Sequence, residues 1–332
     1  MQLTDISSRA WEHPTDKGAL VALRQLKGFD VVLRRLAGLW NERALRLVYV
    51  GSAIRVSDRQ FAEVHKALAD VATSLDVRDV PDIYVVADPV PRAMAIGVDR
   101  PFIVLTSGMV GMLDDQELRF VVGHELGHVA SGHALYTTML MQLLRVSGTL
   151  AWVPFGAFGL RAIIAALFEW QRKAELSSDR AGLLAAQDPA AALRVHMKLA
   201  GGGRLEELDV TAFTQQGDEY LGSPDVRDSV LKLLLLEAQS HPFAVVRAAE
   251  LRRWVDGGQY TAILAGTYPR RADDDSTSVR DDVAEAARHY RDTFAQSQDP
   301  LVSLVRDLGG TIAGAQKWVS DRFTRGRSDD ST

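Results

Sequence analysis

The sequence contains no cysteine, and this absence excludes both disulfide bonds and thiolate metal ligands. A metal ion bound by this chain would therefore be held by histidine, aspartate or glutamate side chains. The lack of cysteine also suits a reducing compartment, in which disulfide bonds seldom form.

An excess of positive charge is absent as well. The 332 residues carry a formal net charge of −5, and no concentrated basic stripe is present, which argues against a nucleic-acid-binding protein. The first residues, MQLTDISSRAWEHPTD, lack the basic start and apolar core of a secretory signal. We therefore expect a cytoplasmic protein with no nucleic-acid partner.

Long uninterrupted apolar runs are also missing. The uncharged stretch at 146–160 is 15 residues long and contains Pro154, whereas a membrane-spanning helix needs roughly 18 or more apolar residues. This stretch is typical of a buried helical hairpin. Peripheral contact with a membrane stays open as the alternative, through residues 146–168 or through the apolar stripe at 301–323.

The distribution of polar and apolar residues divides the chain into segments. Helical spacing of apolar residues predicts a helical N-terminal segment, and the polar stretch that begins at Pro269 predicts a linker. The predicted segments are an N-terminal helical segment at 1–51, a main domain at 52–268, a linker at 269–282, a C-terminal helical extension at 283–325 and a disordered tail at 326–332.

Within the main domain, three short, mostly apolar runs come before a series of helices. The runs DIYVVAD, RAMAIG and PFIVLTSG are separated by Pro, Gly and Asp, and they predict three strands of a small sheet. A helix is predicted before them, from Ser57 or Asp58 to Leu75. Another helix is predicted to begin at Asp114, which forms a capping-box pattern with Glu117. The sequence thus predicts an α+β fold that is mainly α-helical.

The segment HELGH at 124–128 carries the clearest chemical pattern. Residues four apart lie on one face of a helix, so His124 and His128 can bind the same zinc ion. Glu125 is rotated off that face, where it can contact a water molecule on the metal. Zinc lowers the pKa of such a water, and Glu125 can take its proton during attack on a carbonyl group.

A third histidine in the same region, His133, is not predicted to be a ligand. Metzincins continue the motif with a glycine and a third ligand histidine, but Ser131 and Ala134 stand at those positions here. His133 follows His128 by five residues, which is about 140° round the helix. It is therefore expected to be a hydrogen-bonding residue at the edge of the site or a structural residue.

The candidate for the third ligand lies downstream, in QRKAELSSDRAGLLA. Glu175 follows His128 by 47 residues, a gap that suits a helical hairpin returning antiparallel to the first helix. Asp179 lies one turn after Glu175, where it can accept a hydrogen bond from a ligand histidine. The alternative is a solvated acidic face, which is common on helices.

The chain resembles the HtpX-type and CAAX-prenyl-protease-type zinc metallopeptidases, which are gluzincins. The resemblance lies in the order of three features: H-E-L-G-H, then an apolar hairpin, then E-x-x-x-D. RAMAIG, PFIVLTSGMVGML and DDQEL resemble the segment before their zinc helix, and SHPFAVVRAAEL resembles a later element. The resemblance covers roughly residues 52–255. It implies a zincin-like metallopeptidase domain with a small sheet before the zinc helix.

The resemblance also implies roles for individual residues. The expected metal ligands are His124, His128 and Glu175, which would hold one zinc ion per chain. Glu125 would be the catalytic base. Asp179 would support the first ligand histidine by accepting a hydrogen bond from its ring.

The resemblance further implies an edge strand that pairs with an extended peptide or protein substrate. Its residues are Arg92, Ala93, Met94 and Ala95. Relatives usually have asparagine where this chain has Arg92, so contacts with the substrate are expected to differ there. His241 and Arg247 match the later element and would meet the developing oxyanion or the substrate backbone. A surface His–Pro turn followed by an arginine on the next helix is the structural alternative.

These features predict a zinc-dependent metalloendopeptidase that acts on extended or unfolded chains. A non-proteolytic zinc-binding scaffold is one alternative, although a scaffold has no reason to keep Glu125. A protease of the same family that works at a membrane surface in protein quality control is the other.

Overall fold

The computed structural model describes residues 1–14, 16, 42–150, 156–222 and 243–274. Some predictions fall outside these described residues. They concern most of the N-terminal helical segment, His241, the linker beyond Asp274, the C-terminal extension with its stripe at 301–323, and the tail. The predicted domain boundaries stay predictions.

The described part of the chain is mainly helical and contains a small sheet. Its α-helices are α1 (Glu42–Ser52), α2 (Ala62–Ser74), α3 (Ser107–Met112), α4 (Asp115–Ala130), α5 (His133–Leu150), α6 (Gly156–Ala186), α7 (Pro189–Gly201), α8 (Val210–Gly222), α9 (Ala244–Asp256) and α10 (Gln259–Leu264). Its strands are β1 (Ile54–Arg55), β2 (Ile83–Val86), β3 (Ala93–Ile96) and β4 (Phe102–Thr106). The prediction of an α+β, mainly α-helical fold is confirmed.

The strands pair in the order β1-β2-β4-β3. Strands β2 and β4 run parallel, whereas β1 and β3 run antiparallel to their neighbours. The three predicted strands are present, and β1 adds a fourth strand of two residues, which is too short to show a period-two pattern in the sequence. Because β3 is last in this order, one of its edges pairs with no other described strand.

Helix α2 begins later than the predicted N-cap at Ser57 or Asp58. The backbones of Ser57 and Gln60 exchange hydrogen bonds across a tight turn, with N···O distances of 2.9 and 3.3 Å. Phe61 then adopts a left-handed conformation (φ 52°), and the helix begins at Ala62. The predicted start is wrong because this turn uses the backbone groups that a longer helix would need.

Helix α4, which carries HELGH, begins at the predicted capping box. The Asp114 side chain accepts hydrogen bonds from the backbone of Gln116 and Glu117, and Glu117 Oε2 accepts one from the Asp114 backbone at 2.8 Å. Glu117 is fully buried. Its charge is balanced by Lys198 at 2.6 Å and Arg194 at 3.0 Å, both on α7. These contacts hold the start of the motif helix in place.

Helices α4 and α6 cross at very short distance, which explains the glycines inside the motif helix. A Cβ atom on Gly123 would lie 2.5 Å from Cβ of Ala185, and one on Gly127 would lie 2.5 Å from Cβ of Ala181. On α6, a Cβ atom at Gly182 would lie 2.7 Å from a carbonyl oxygen of α4. The cost of about 1 kcal/mol for a helical glycine relative to alanine is therefore offset by close packing of the two helices.

The residues before α1 include an arm, defined here as residues 1–14 and Asp16, which packs on the main domain. Its side chains Leu3, Ile6 and Trp11 are buried in the same hydrophobic core as residues of α2, α4 and α6. Ile6 also forms a β-bridge with Arg270. The arm is thus held against the core by both apolar burial and backbone pairing.

Among the described helices, none combines the length and apolar character that crossing a membrane requires. The predicted apolar hairpin is formed by α5 and the first part of α6. Its buried side chains include Ile163, Ile164, Ala166, Leu167 and Phe168. This part of the hairpin faces the protein core.

Candidate metal centre and active site

The three predicted ligands, two on α4 and one on α6, meet where these helices cross. The Nε2 atoms of His124 and His128 lie 3.1 Å apart. The two carboxylate oxygens of Glu175 lie 3.4 Å from Nε2 of His124 and 3.3 Å from Nε2 of His128. One ligand atom from each residue falls within 4.8 Å of the others, and all three residues are buried. This group could hold a metal ion.

The outer nitrogen of the first histidine is fixed by a carboxylate. Nδ1 of His124 lies 3.0 Å from Oδ1 of Asp179, the residue predicted to accept a hydrogen bond from a ligand histidine. A carboxylate only accepts hydrogen bonds, so Nδ1 of His124 carries a proton. In the neutral ring this leaves the Nε2 lone pair directed at Glu175 and His128, which is the tautomer that a metal ion needs.

The outer nitrogen of the second histidine faces His133. The Nδ1 atoms of His128 and His133 lie 3.1 Å apart, so His133 is on the side of His128 opposite to Glu175. Nε2 of His133 contacts Oδ2 of Asp16 at 3.1 Å. His133 is therefore a hydrogen-bonding neighbour of the group, as expected from its register, and not one of its three members.

These donors fit a metal ion of the zinc type. Two imidazole nitrogens and one carboxylate, with a further coordination position left open, form a usual protein ligand set for catalytic zinc. The close facing of the two Nε2 atoms at 3.1 Å also suits a shared cation, since each ring is held by a partner on its outer side.

The protonation of the group follows from burial and its near neighbours. Burial lowers the pKa of His124, but hydrogen bonds with Asp179 and Glu175 outweigh burial and raise it to about 9. At His128 burial dominates and lowers the pKa to about 4. Burial raises the pKa of Glu175, but the charge of Arg247 and hydrogen bonds with both histidines hold it well below its usual range. Binding of a cation at both rings would displace the proton of His124.

Glu125 lies beside this group without belonging to it. Its side chain is buried, and its Oε2 atom has no hydrogen-bond partner among the described residues. The backbone N–H of Ala95 lies beside the carboxylate, where it favours the ionised form. Burial raises the pKa of Glu125 to about 7, although the charge of His124 opposes the shift. A carboxylate with a pKa near neutrality can both accept and return a proton.

Arg247 of α9 is buried against the carboxylates of the site. Its Nη1 lies 2.9 Å from Oε2 of Glu175, and its Nε and Nη2 donate to Asp179 at 2.7 and 2.5 Å. In this arrangement the guanidinium orients both carboxylates. It also lines a cavity beside the site, next to Phe243. His241, predicted alongside it, lies outside the described residues.

Two cavities meet at Glu125 and Glu175. The larger, of about 640 Å³, extends past His124 toward Arg247 and Phe243. The smaller, of about 220 Å³, lies on the side of His128. It is lined by the apolar side chains Met94, Leu140, Met141, Leu144 and Phe168. The site thus has open space on both sides of the Glu125 carboxylate.

The predicted edge-strand residues line these cavities. Arg92 and Ala93 border both, and Met94 and Ala95 border the smaller. Thr106 N donates to Arg92 O at 3.0 Å, so Arg92 is a hydrogen-bonded position of the β3–β4 ladder. Antiparallel pairing alternates, and the backbone groups of Ala93 and Ala95 therefore point away from β4, toward the cleft.

The sequence does not predict two contacts of the site. One is the approach of the Ala95 backbone N–H to Glu125, which depends on the register of β3 against α4. The other is the contact of Asp16 with His133, since nothing in the sequence around Asp16 marks it as part of a metal site.

Comparison with known proteins agrees with this geometry. The model of Peptidase family M48 matches residues 58–255, a range that contains every site residue described above except Asp16. No solved structure matches the chain.

Similar proteins carry metallopeptidase or protease names. The chain is 35% identical over 269 residues to plastoglobule-localized metallopeptidase 48, chloroplastic, of Arabidopsis thaliana, covering 78% of this chain and 76% of that protein. It is 30% identical over 151 residues to a Protease HtpX homolog of Tropheryma whipplei (strain Twist), covering 38% of this chain and 52% of that one. It is 38% identical over 77 residues to Metalloprotease YcaL of Escherichia coli (strain K12), covering 23% and 28%.

The matched family and the buried His-His-Glu group lead to the same class of protein. The resemblance to HtpX-type metallopeptidases is confirmed by the family match and by the relatives' names. The group that could bind a metal ion lies inside the matched range. The chain belongs to peptidase family M48 and is a metallopeptidase.

Proposed function

We propose that the chain is a zinc-dependent metalloendopeptidase with one zinc ion per chain. His124, His128 and Glu175 are the proposed ligands, and Glu125 is the proposed general base. The observation that carries this proposal is the buried His-His-Glu group with the unpartnered Oε2 of Glu125 beside it. A buried carboxylate oxygen without a hydrogen-bond partner is costly, and a catalytic role accounts for it.

The proposed chemistry is hydrolysis of a peptide bond. When bound, zinc would acidify a water molecule and polarise the scissile carbonyl group. Glu125 takes a proton from the attacking water as the new C–O bond forms. It then gives that proton to the leaving nitrogen as the C–N bond breaks. Its pKa of about 7 suits both steps at neutral pH.

The proposed substrate is an extended segment of a peptide or unfolded protein. The backbone groups of Ala93 on the cleft side of β3 can pair with such a segment as an added strand. Cavities on both sides of Glu125 leave room for chain before and after the scissile bond. This supports internal cleavage.

Cleavage of casein by the zinc-loaded protein tests the proposal, with the products mapped by mass spectrometry. We expect fragments whose new ends lie well inside the casein chain. Release of terminal residues alone would contradict an endopeptidase. A zinc-bound protein that leaves casein uncut would favour the scaffold without proteolytic activity.

Substitution of Ala93 tests the role of the edge strand. Ala93→Pro removes an N–H that faces the cleft, and proline is tolerated on an edge strand whose N–H is not used in the sheet. Since one hydrogen bond contributes about 0.5–1.5 kcal/mol, kcat/KM for a peptide is expected to fall about two- to tenfold, chiefly through KM. Ala93→Ser keeps the N–H and should match wild type. Equal kinetics in both variants would reject strand pairing at this position.

The proposed location is the cytoplasm. Peripheral membrane contact through residues 146–168 or 301–323 is the alternative, and a quality-control protease at a membrane surface would use the same catalytic residues. The buried side chains of the 163–168 part favour packing in the protein core over contact with lipid for that part.

A further inference from the structure

The arm ends beside the metal-binding group and is anchored there by polar contacts. Trp11 Nε1 donates to Ser131 Oγ at 3.1 Å, just after the end of α4. The backbone N–H of His13 donates to Ser177 Oγ at 2.9 Å, and Ser177 Oγ donates to Oδ2 of Asp16 at 2.6 Å. The arm is therefore fastened to both helices that carry the proposed ligands, and Asp16 has a defined position.

From Asp16 a line of buried polar groups runs to the second histidine of the motif. Oδ2 of Asp16 lies 3.1 Å from Nε2 of His133. Nδ1 of His133 lies 3.1 Å from Nδ1 of His128. All three side chains are at least nine-tenths buried, so water does not compete with these contacts.

When His128 binds a metal ion, the chemistry of these groups fixes which atom donates the proton in each contact between Asp16, His133 and His128. An ionised Asp16 only accepts hydrogen bonds, so Nε2 of His133 carries the proton between them. In a neutral His133 ring, Nδ1 is then an acceptor, and the proton between the two histidines belongs to Nδ1 of His128. This leaves the Nε2 lone pair of His128 directed at Glu175.

We propose that Asp16, acting through His133, is a positioning residue that holds His128 in the Nδ1-protonated tautomer and in the ring orientation required for metal binding. The inference rests on the proposed function. Asp179 does the same for His124 directly, at 3.0 Å. Asp16 precedes the family match at 58–255, so the arm completes a site whose other residues lie within that match.

The affinity for zinc tests this proposal, measured by competition with a chelator. Loss of an outer hydrogen-bond partner typically weakens metal binding about 10–100-fold, and we expect this effect for Asp16→Ala and for His133→Ala. The double variant should lose no more zinc affinity than the more affected single variant does, because the two residues act through the same chain of hydrogen bonds. Asp16→Asn keeps an acceptor for His133 and should recover part of the affinity.

Ser7→Ala is the matched control for general loosening of the arm. The buried Ser7 hydroxyl donates to Asp274 at 2.8 Å and is not part of the line. The zinc affinity of Ser7→Ala should stay within about twofold of wild type. This change is smaller than the roughly 10–100-fold loss expected for Asp16→Ala and His133→Ala. Wild-type affinity in Asp16→Ala, or an equal loss in Ser7→Ala, would overturn the proposal.

A spectroscopic measurement gives a second test that needs only the folded wild-type protein. In ¹H–¹⁵N spectra of the zinc-loaded protein, His128 should show the Nδ1-protonated tautomer and His133 the Nε2-protonated tautomer. The opposite tautomer of His133 would overturn the proposal. Failure of wild type to bind any zinc would reject the proposed function itself, whereas equal binding by wild type and Asp16→Ala would reject only the role of the arm.

Discussion

Replacement of Glu125 by glutamine is expected to lower kcat/KM for peptide cleavage by about 10²–10⁴-fold, the usual contribution of a general acid–base group. Glutamine has nearly the same size as glutamate, but it cannot take a proton from water. Because Glu125 is not one of the proposed ligands, zinc content and affinity should change little. Steady-state kinetics and metal analysis of the same preparation measure both quantities.

A matched control separates the loss of the base from the loss of a charge. Glu63 is an exposed glutamate in the first turn of α2, so Glu63→Gln makes the same substitution away from the cleft. We expect wild-type kinetics from it. Undiminished cleavage by Glu125→Gln would exclude Glu125 as the base and move the proton transfer to another group.

Replacement of Glu175 by alanine is expected to remove zinc binding and cleavage together. This change takes away one of three proposed ligands, so the loss of affinity should exceed the roughly 10–100-fold that follows loss of an outer partner. Arg247 keeps its hydrogen bonds with Asp179, so the buried guanidinium is not left without a partner. Chelator competition measures the affinity, and circular dichroism checks that the variant is folded.

Asp179→Asn provides the comparison for Glu175→Ala. Asparagine at this position leaves all three proposed ligands in place and removes only the charge behind His124, so a smaller loss of about 10–100-fold is expected. The informative result is which of the two variants loses more zinc affinity. Wild-type zinc affinity in Glu175→Ala would reject the third ligand, whatever the effect of Asp179→Asn.

Features governed by local spacing could be predicted from the sequence. The capping box of Asp114 and Glu117 fixes the start of α4, and the four-residue spacing of His124 and His128 places both rings on one face. Glu175 could be predicted to lie near the two histidines because a helical hairpin brings the chain back to the helix that carries them. The three short runs DIYVVAD, RAMAIG and PFIVLTSG likewise contain β2, β3 and β4.

Features that depend on tertiary packing could not be predicted in this way. The turn between Ser57 and Gln60 shortens α2 through backbone hydrogen bonds that no local propensity indicates. Asp16 reaches His133 only because the buried side chains of the arm hold it on the core. The glycines at 123 and 127 are unfavourable for a helix, and their reason is visible only where α6 crosses α4.

The most direct test of the proposed mechanism is the zinc-to-protein ratio and the casein-cleaving activity, measured together in wild type, Glu125→Gln and Glu175→Ala. The proposed site predicts one zinc ion and activity in wild type, one zinc ion without activity in Glu125→Gln, and neither in Glu175→Ala. Activity in Glu125→Gln, or one firmly bound zinc ion in Glu175→Ala, would contradict it.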